Sequence, residues 1–119
     1  MIQVVNKYKH TPTDHDIYIG RGSVFGNPYS HLDSKYGVIK TETREDAVRL
    51  YKLYFDAVMN DPDGFDSENE RNKAIELQTA AYELLEEARN SDINLVCFCK
   101  PKPCHGDIIK EWLDSELNK

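Results

Sequence analysis

The residues best equipped for chemistry cluster near the end of the chain, in Val96-Cys97-Phe98-Cys99-Lys100-Pro101-Lys102-Pro103-Cys104-His105-Gly106-Asp107. All three cysteines of the chain lie there, beside a histidine and an acid. Three thiols and an imidazole form the ligand set of a closed Cys3His zinc site, so Cys97, Cys99, Cys104 and His105 are one candidate constellation, with zinc as its cofactor. Against it, C-x-C on an extended strand chelates less readily than a C-x2-C turn, and free cysteine is among the most buried residue types. The competing reading uses no metal. A helix amino terminus favours a phosphate or a thiolate. Cys104 at that place is a candidate nucleophile of lowered pKa, with His105 and Asp107 as candidates for proton transfer or contact with a sugar hydroxyl. Adjacency alone does not aim Cys104 and His105 at each other, and Asp107 has the simpler reading of a helix cap.

A second group of such residues lies in Gly20-Arg21-Gly22-Ser23-Val24-Phe25-Gly26-Asn27-Pro28. Three glycines in seven residues suit a backbone that turns sharply or approaches a ligand closely. The spacing is G-x-G-x-x-x-G followed by Asn-Pro, so it is not the dinucleotide fingerprint, which opens directly into a helix. It reads instead as a nest of N–H groups for an anion, with Arg21 supplying a planar fork of donors. Gly20, Arg21, Gly22, Ser23, Gly26 and Asn27 are therefore the ligand-binding candidates. The plain alternative is a turn-rich connector with a surface arginine.

Stepping outward, both groups follow a β-favouring run. Ile93 to Cys99 predicts a strand that stops at two prolines, and Ile108, Ile109, Trp112 and Leu113 predict a helix from Asp107. Such a strand, loop and helix place a site at the carboxyl end of the strand. On that strand Cys97 and Cys99 share a side and Phe98 faces the other. Ile17 to Ile19 is the strand before the glycine loop, and Ile2 to Val5 is a short first strand. Ser30 to Thr41 reads as irregular or a short hairpin around Gly37. Thr43 followed by Glu45 and Asp46 caps a helix with the stripe Ala47, Val48, Tyr51, Tyr54, Phe55 and Val58. A polar insert, Asn60 to Asn69, lacks the spacing of a calcium loop. Glu70 to Arg89 predicts an amphipathic helix burying Ala74, Leu77, Ala81, Leu84, Leu85 and Ala88. Alternating strand and helix signals give a small α/β domain over 1–119, layered as a short, mostly parallel or mixed sheet flanked by about three helices.

Composition narrows the partners. With 119 residues the chain makes one domain able to bury a core without disulfides. A net charge of −6 disfavours nucleic acid and anionic membranes as partners. No apolar run approaches the roughly 20 residues that span a bilayer. An odd number of cysteines and no apolar amino-terminal signal segment point to a reducing cytoplasm. The sequence sets no oligomeric state.

The pair Ile17-Tyr18-Ile19-Gly20-Arg21-Gly22-Ser23-Val24-Phe25-Gly26-Asn27-Pro28-Tyr29 and Val96 to Asp107, with the Thr43-Arg44-Glu45-Asp46-Ala47-Val48 helix start between them, resembles domain-of-unknown-function family 4326 of bacteria and their phages. The resemblance spans Ile17 to Leu117. Phe98 stands where the family usually has tryptophan, and the Asn60 to Asn69 insert is longer than usual. What the resemblance implies is a compact α/β domain near Rossmann-like nucleotide-handling proteins. The Gly20–Gly26 loop and the Cys104–Asp107 helix start would form two walls of one pocket. Arg21 and the helix end would then hold phosphate, leaving Asn27, His105 and Asp107 for sugar, base or water. The expected function is binding of a nucleotide or nucleotide-derived, phosphate-containing ligand in the cytoplasm, the host's if phage-encoded; whether it is also hydrolysed, at a phosphate or glycosidic bond, the sequence leaves open. The alternatives are a phage protein that sequesters such a nucleotide without catalysis and a zinc-stabilised Cys3His interaction module.

Overall fold

The structure, a computed structural model, describes residues 1–32 and 39–119. Among these residues five strands and three α-helices follow one another: β1 (Ile2–Asn6), β2 (Asp16–Tyr18), β3 (Tyr29–Ser30), β4 (Ile39–Lys40), α1 (Arg44–Asn60), α2 (Glu68–Asn90), β5 (Ile93–Cys97) and α3 (His105–Leu117). The turn expected around Gly37 lies outside the described residues, and its flanks, β3 and β4, pair in parallel. In the main sheet β5 is central, in the order β1-β5-β2, with both neighbours parallel to it. The architecture is α/β.

The local reasons are the ones the residues supply. β5 carries Ile93, Leu95, Val96 and Cys97, all buried, as a strand covered on both faces requires. Thr43 caps α1 by accepting from the Asp46 N–H, and Ser67 caps α2 in the same way through Glu70. The α2 stripe from Ala74 to Ala88 is buried as its period predicts. The polar insert ahead of α2 contains a 3-10 turn over Pro62–Gly64. α3 lies against β1 and β5, while α1 and α2 pack on α3 and on each other. Gly106 permits that close approach: a Cβ there would stand 2.6 Å from Ile19 Cδ1 and 2.9 Å from Val4 Cγ1. The core therefore runs from the sheet through α3 to the α1–α2 pair. Among the described residues, no helix is long and apolar enough to cross a membrane.

Candidate functional site

β2 and β5 run side by side, and their carboxyl ends open into the two sequence motifs. Beyond those ends lies a cleft of about 530 Å³, whose lining includes Tyr18, Gly20, Arg21 and Asn27 from the first motif and Cys97, Phe98, Cys99, Cys104 and His105 from the second. α1 adds Arg44, Ala47 and Val48. That volume suits a small ligand. The motifs are thus two walls of one cavity.

The walls are fastened by buried contacts. His105 Nε2 donates to the Ile19 carbonyl at 2.6 Å, which puts a proton on Nε2. Burial lowers the His105 pKa against the opposing effect of that hydrogen bond and so favours the neutral ring, and the Tyr51 ring meets the imidazole edge-on at 5.0 Å. The Tyr51 hydroxyl donates to the Phe25 carbonyl at 2.9 Å, tying α1 to the glycine loop. Asn27 donates from Nδ2 to the Ala47 carbonyl at 3.1 Å and accepts the Tyr29 N–H at 2.9 Å. Ser23 Oγ donates to the Gly20 carbonyl at 2.6 Å, and Gly22 takes φ 93°, a left-handed backbone that favours glycine. These bonds hold the loop's shape. Gly22, Ser23 and Gly26 face a second depression, shared with Tyr54, Lys73 and Glu76, and Arg21 and Asn27 border both hollows.

At the start of α3 the expected donors are largely engaged within the protein. Cys104 is the N-cap, its Sγ accepting the Gly106 N–H at 3.4 Å. Asp107 accepts the Cys104 N–H at 3.2 Å and pairs with Lys100, so the capping reading of this acid describes its geometry, and it does not line the cleft. A carboxylate at that helix end also opposes an incoming phosphate. Among the described residues, the arginines lining the cleft are Arg21 and Arg44. Arg21 donates from Nη2 to the Tyr29 carbonyl at 3.1 Å, and its buried Nε has no hydrogen-bond partner among the described residues.

All three cysteines line the cleft. Cys97 and Cys104 are buried and Cys99 is half-buried. Hydrogen bonds from the Cys104 and Cys97 thiols lower the Cys99 pKa, burial opposes them, and Arg44 adds to the lowering by charge and by a hydrogen bond. Hydrogen bonding with Cys97 and Cys99, together with burial, pushes Cys104 up. These surroundings favour ionisation at Cys99 over Cys104. Among the described residues, no group of three or more His, Cys, Asp or Glu side chains is arranged to hold a metal ion, and His105 has committed Nε2 to Ile19. The Cys97, Cys99, Cys104 and His105 zinc alternative therefore has no pre-formed geometry.

Sequence reasoning gave no site role to Arg44 or to an aromatic group at the mouth. Phe98 and Tyr18 stand edge to face at 5.9 Å, Tyr8 lies 5.4 Å from Phe98, and Lys7 Nζ sits 5.6 Å from the Phe98 centroid. Arg44 carried a usable signal. It is the first residue of a helix, where the macrodipole favours acids, and a cation there breaks the local rule.

The family model for the domain of unknown function DUF4326 matches residues 2–115, so the match takes in β1 as well as both motifs. The chain is 38% identical over 109 residues to an uncharacterised 12.4 kDa protein in the nrdA-td intergenic region of Enterobacteria phage T4, an alignment covering 92% of this chain and 74% of the phage protein. No solved structure matches the chain. The chain belongs to the DUF4326 family.

Proposed function

We propose that this member of the DUF4326 family binds a nucleotide or nucleotide-derived ligand in the cleft between the glycine loop and α3. The observation that carries the reading is that Arg21 and Arg44, from two separate elements, line one cavity with Tyr18 and Phe98. Guanidinium groups suit phosphate because their planar fork matches its oxygens. Aromatic rings suit a base, since every base offers a π-face. Among the described residues the buried Arg21 Nε has no hydrogen-bond partner, and a phosphate oxygen would supply one. The phosphate thus falls to the two arginines, with less from the helix end than the sequence suggests. The chain's net charge of −6 favours a small ligand over nucleic acid. Free thiols fit a reducing cytoplasm, the host's where a phage encodes the protein.

Equilibrium dialysis against nucleoside mono-, di- and triphosphates and dinucleotides tests this. Arg44→Ala should weaken binding by roughly ten-fold or more, the scale of a lost charge-assisted hydrogen bond. Unchanged affinity would overturn the phosphate role. Chromatography of the ligand after long incubation separates the two forms of the function: unchanged ligand means sequestration, and cleavage at a phosphate or glycosidic bond means hydrolysis.

A further inference from the structure

Three aromatic rings stand in a row at the mouth of the cleft, and packing of the core does not account for them. Tyr18, Phe98 and Tyr8 are 40%, 43% and 83% exposed. Phe98 is the middle ring, its centroid 5.9 Å from that of Tyr18 and 5.4 Å from that of Tyr8. Tyr18 and Phe98 line the cleft and Tyr8 does not, so the row leads from the cavity onto the surface. Lys7 Nζ stands 5.8 Å from the Tyr18 centroid and 5.6 Å from that of Phe98, and it has no carboxylate partner among the described residues. Backbone pairing holds this arrangement. Asn6 is opposite Cys97 in the parallel register, which brings Lys7 and Tyr8 beside Phe98. The Lys7 N–H donates to the Cys97 carbonyl at 2.8 Å and the Tyr8 N–H to Asn6 Oδ1 at 2.9 Å. Asn6 Nδ2 in turn donates to the Lys100 carbonyl at 2.6 Å, clasping the two loops together. Exposed apolar surface fixed beside a cavity in this way marks a place where something binds.

We propose that Tyr8 and Lys7 form a second base subsite and that the ligand of the cleft is a dinucleotide, two nucleosides joined through phosphate. This rests on the reading of the cleft as a nucleotide site. The first base lies against Tyr18 and Phe98, with its phosphate on Arg21 and Arg44. The second base stacks on Tyr8, the outermost and most exposed ring of the row. Lys7 precedes Tyr8 in the chain and reaches over the other two rings, so its ammonium meets the linking phosphate. That phosphate supplies the anion Lys7 lacks among the described residues. A mononucleotide in the cavity leaves both Tyr8 and Lys7 uncovered. A long single strand needs a cationic track beyond them, which the chain's net charge of −6 disfavours. Stacking is tolerant of base identity, so the row sets the number of bases bound and not which bases they are.

Calorimetric titration of the full chain tests this with a set of 5′-mononucleotides, the matching dinucleoside 5′,5′-diphosphates and the matching 5′-phosphorylated 3′,5′-dinucleotides. One of the two dinucleotide classes should bind roughly ten-fold or more tightly than its mononucleotide, the scale of one further stacked base. Tyr8→Ala should remove that preference, bringing the dinucleotide down to the affinity of the mononucleotide. Tyr8→Phe, which keeps the ring, should retain it. Tyr8 is so exposed that neither change threatens the fold. Mononucleotides that bind as tightly as both dinucleotide classes would overturn the second subsite and leave the nucleotide reading of the cleft standing. So would a dinucleotide preference that survives Tyr8→Ala. Affinity that keeps rising by a similar factor per nucleotide up to a 5′-phosphorylated tetranucleotide would overturn it in favour of a single-strand groove. Binding of none of these ligands would overturn both readings together.

Discussion

His105 and Ile19 are joined by a 2.6 Å hydrogen bond that links the first residue of α3 to the end of the strand leading into the glycine loop. One imidazole thereby ties the two motifs together. Replacing it by phenylalanine keeps a ring against Tyr51 but leaves a buried carbonyl unpaired, a loss of about 1–3 kcal/mol. Urea denaturation of His105→Phe should show that loss as a lowered midpoint with an unchanged slope.

Gly106 sits where α3 comes closest to the sheet. An added methyl would meet Ile19 Cδ1 at 2.6 Å and Val4 Cγ1 at 2.9 Å, so side chains from two strands must shift together. Overpacking of this kind costs about 1–3 kcal/mol, against the roughly 1 kcal/mol that alanine gains over glycine in a helix. Thermal melting of Gly106→Ala should therefore show net destabilisation; a higher melting temperature would mean that the helix is free to move outward.

Asp16, at the opposite end of β2, gives the fold a pH dependence. Burial raises its pKa, but the His10 bond at 3.0 Å and bonds from Thr13 and Asn94 outweigh it and hold the carboxyl well below the usual carboxylate range. A depressed carboxyl pKa stabilises the fold above the unfolded value of about 4 and loses that contribution as pH falls below it. Stability measured from pH 6 down to pH 3 should fall in the parent chain more steeply than in Asp16→Asn, which starts lower. Parallel curves would contradict this role.

Phe98 lines the cleft beside Tyr18, where the proposed base would stack. Phe98→Ala should cost a bound nucleotide about 1–3 kcal/mol, the range for one stacked base, and leave the weak binding of inorganic phosphate unchanged. Competition dialysis with the two ligands distinguishes that outcome from a general loss of the cleft.

Much of the fold was legible because periodicity and capping agree. Thr43 and the α2 stripe read directly, and the strand expected over Ile93 to Cys99 forms over Ile93–Cys97, ending before Phe98 and Cys99. Both motifs were legible as chemistry, and the cleft joins them. What could not be read was the division of labour inside it. Asn27, Ser23, His105 and Asp107 look functional by type, yet each is engaged in a hydrogen bond to backbone that only the folded chain reveals. Arg44 and Cys99 become site residues through contacts across long stretches of chain, which spacing does not encode.

The central claim is that Arg21 and Arg44 together receive a phosphate in one cleft. The most direct measurement is an NMR titration that follows the arginine Nε–Hε resonances while a nucleoside, and then its 5′-phosphate, is added to the labelled chain. The account predicts that the phosphorylated ligand shifts both Arg21 and Arg44 at saturating concentrations and that the bare nucleoside shifts neither comparably. A titration that moves neither arginine, or moves only resonances beside Lys73 and Glu76, would contradict it.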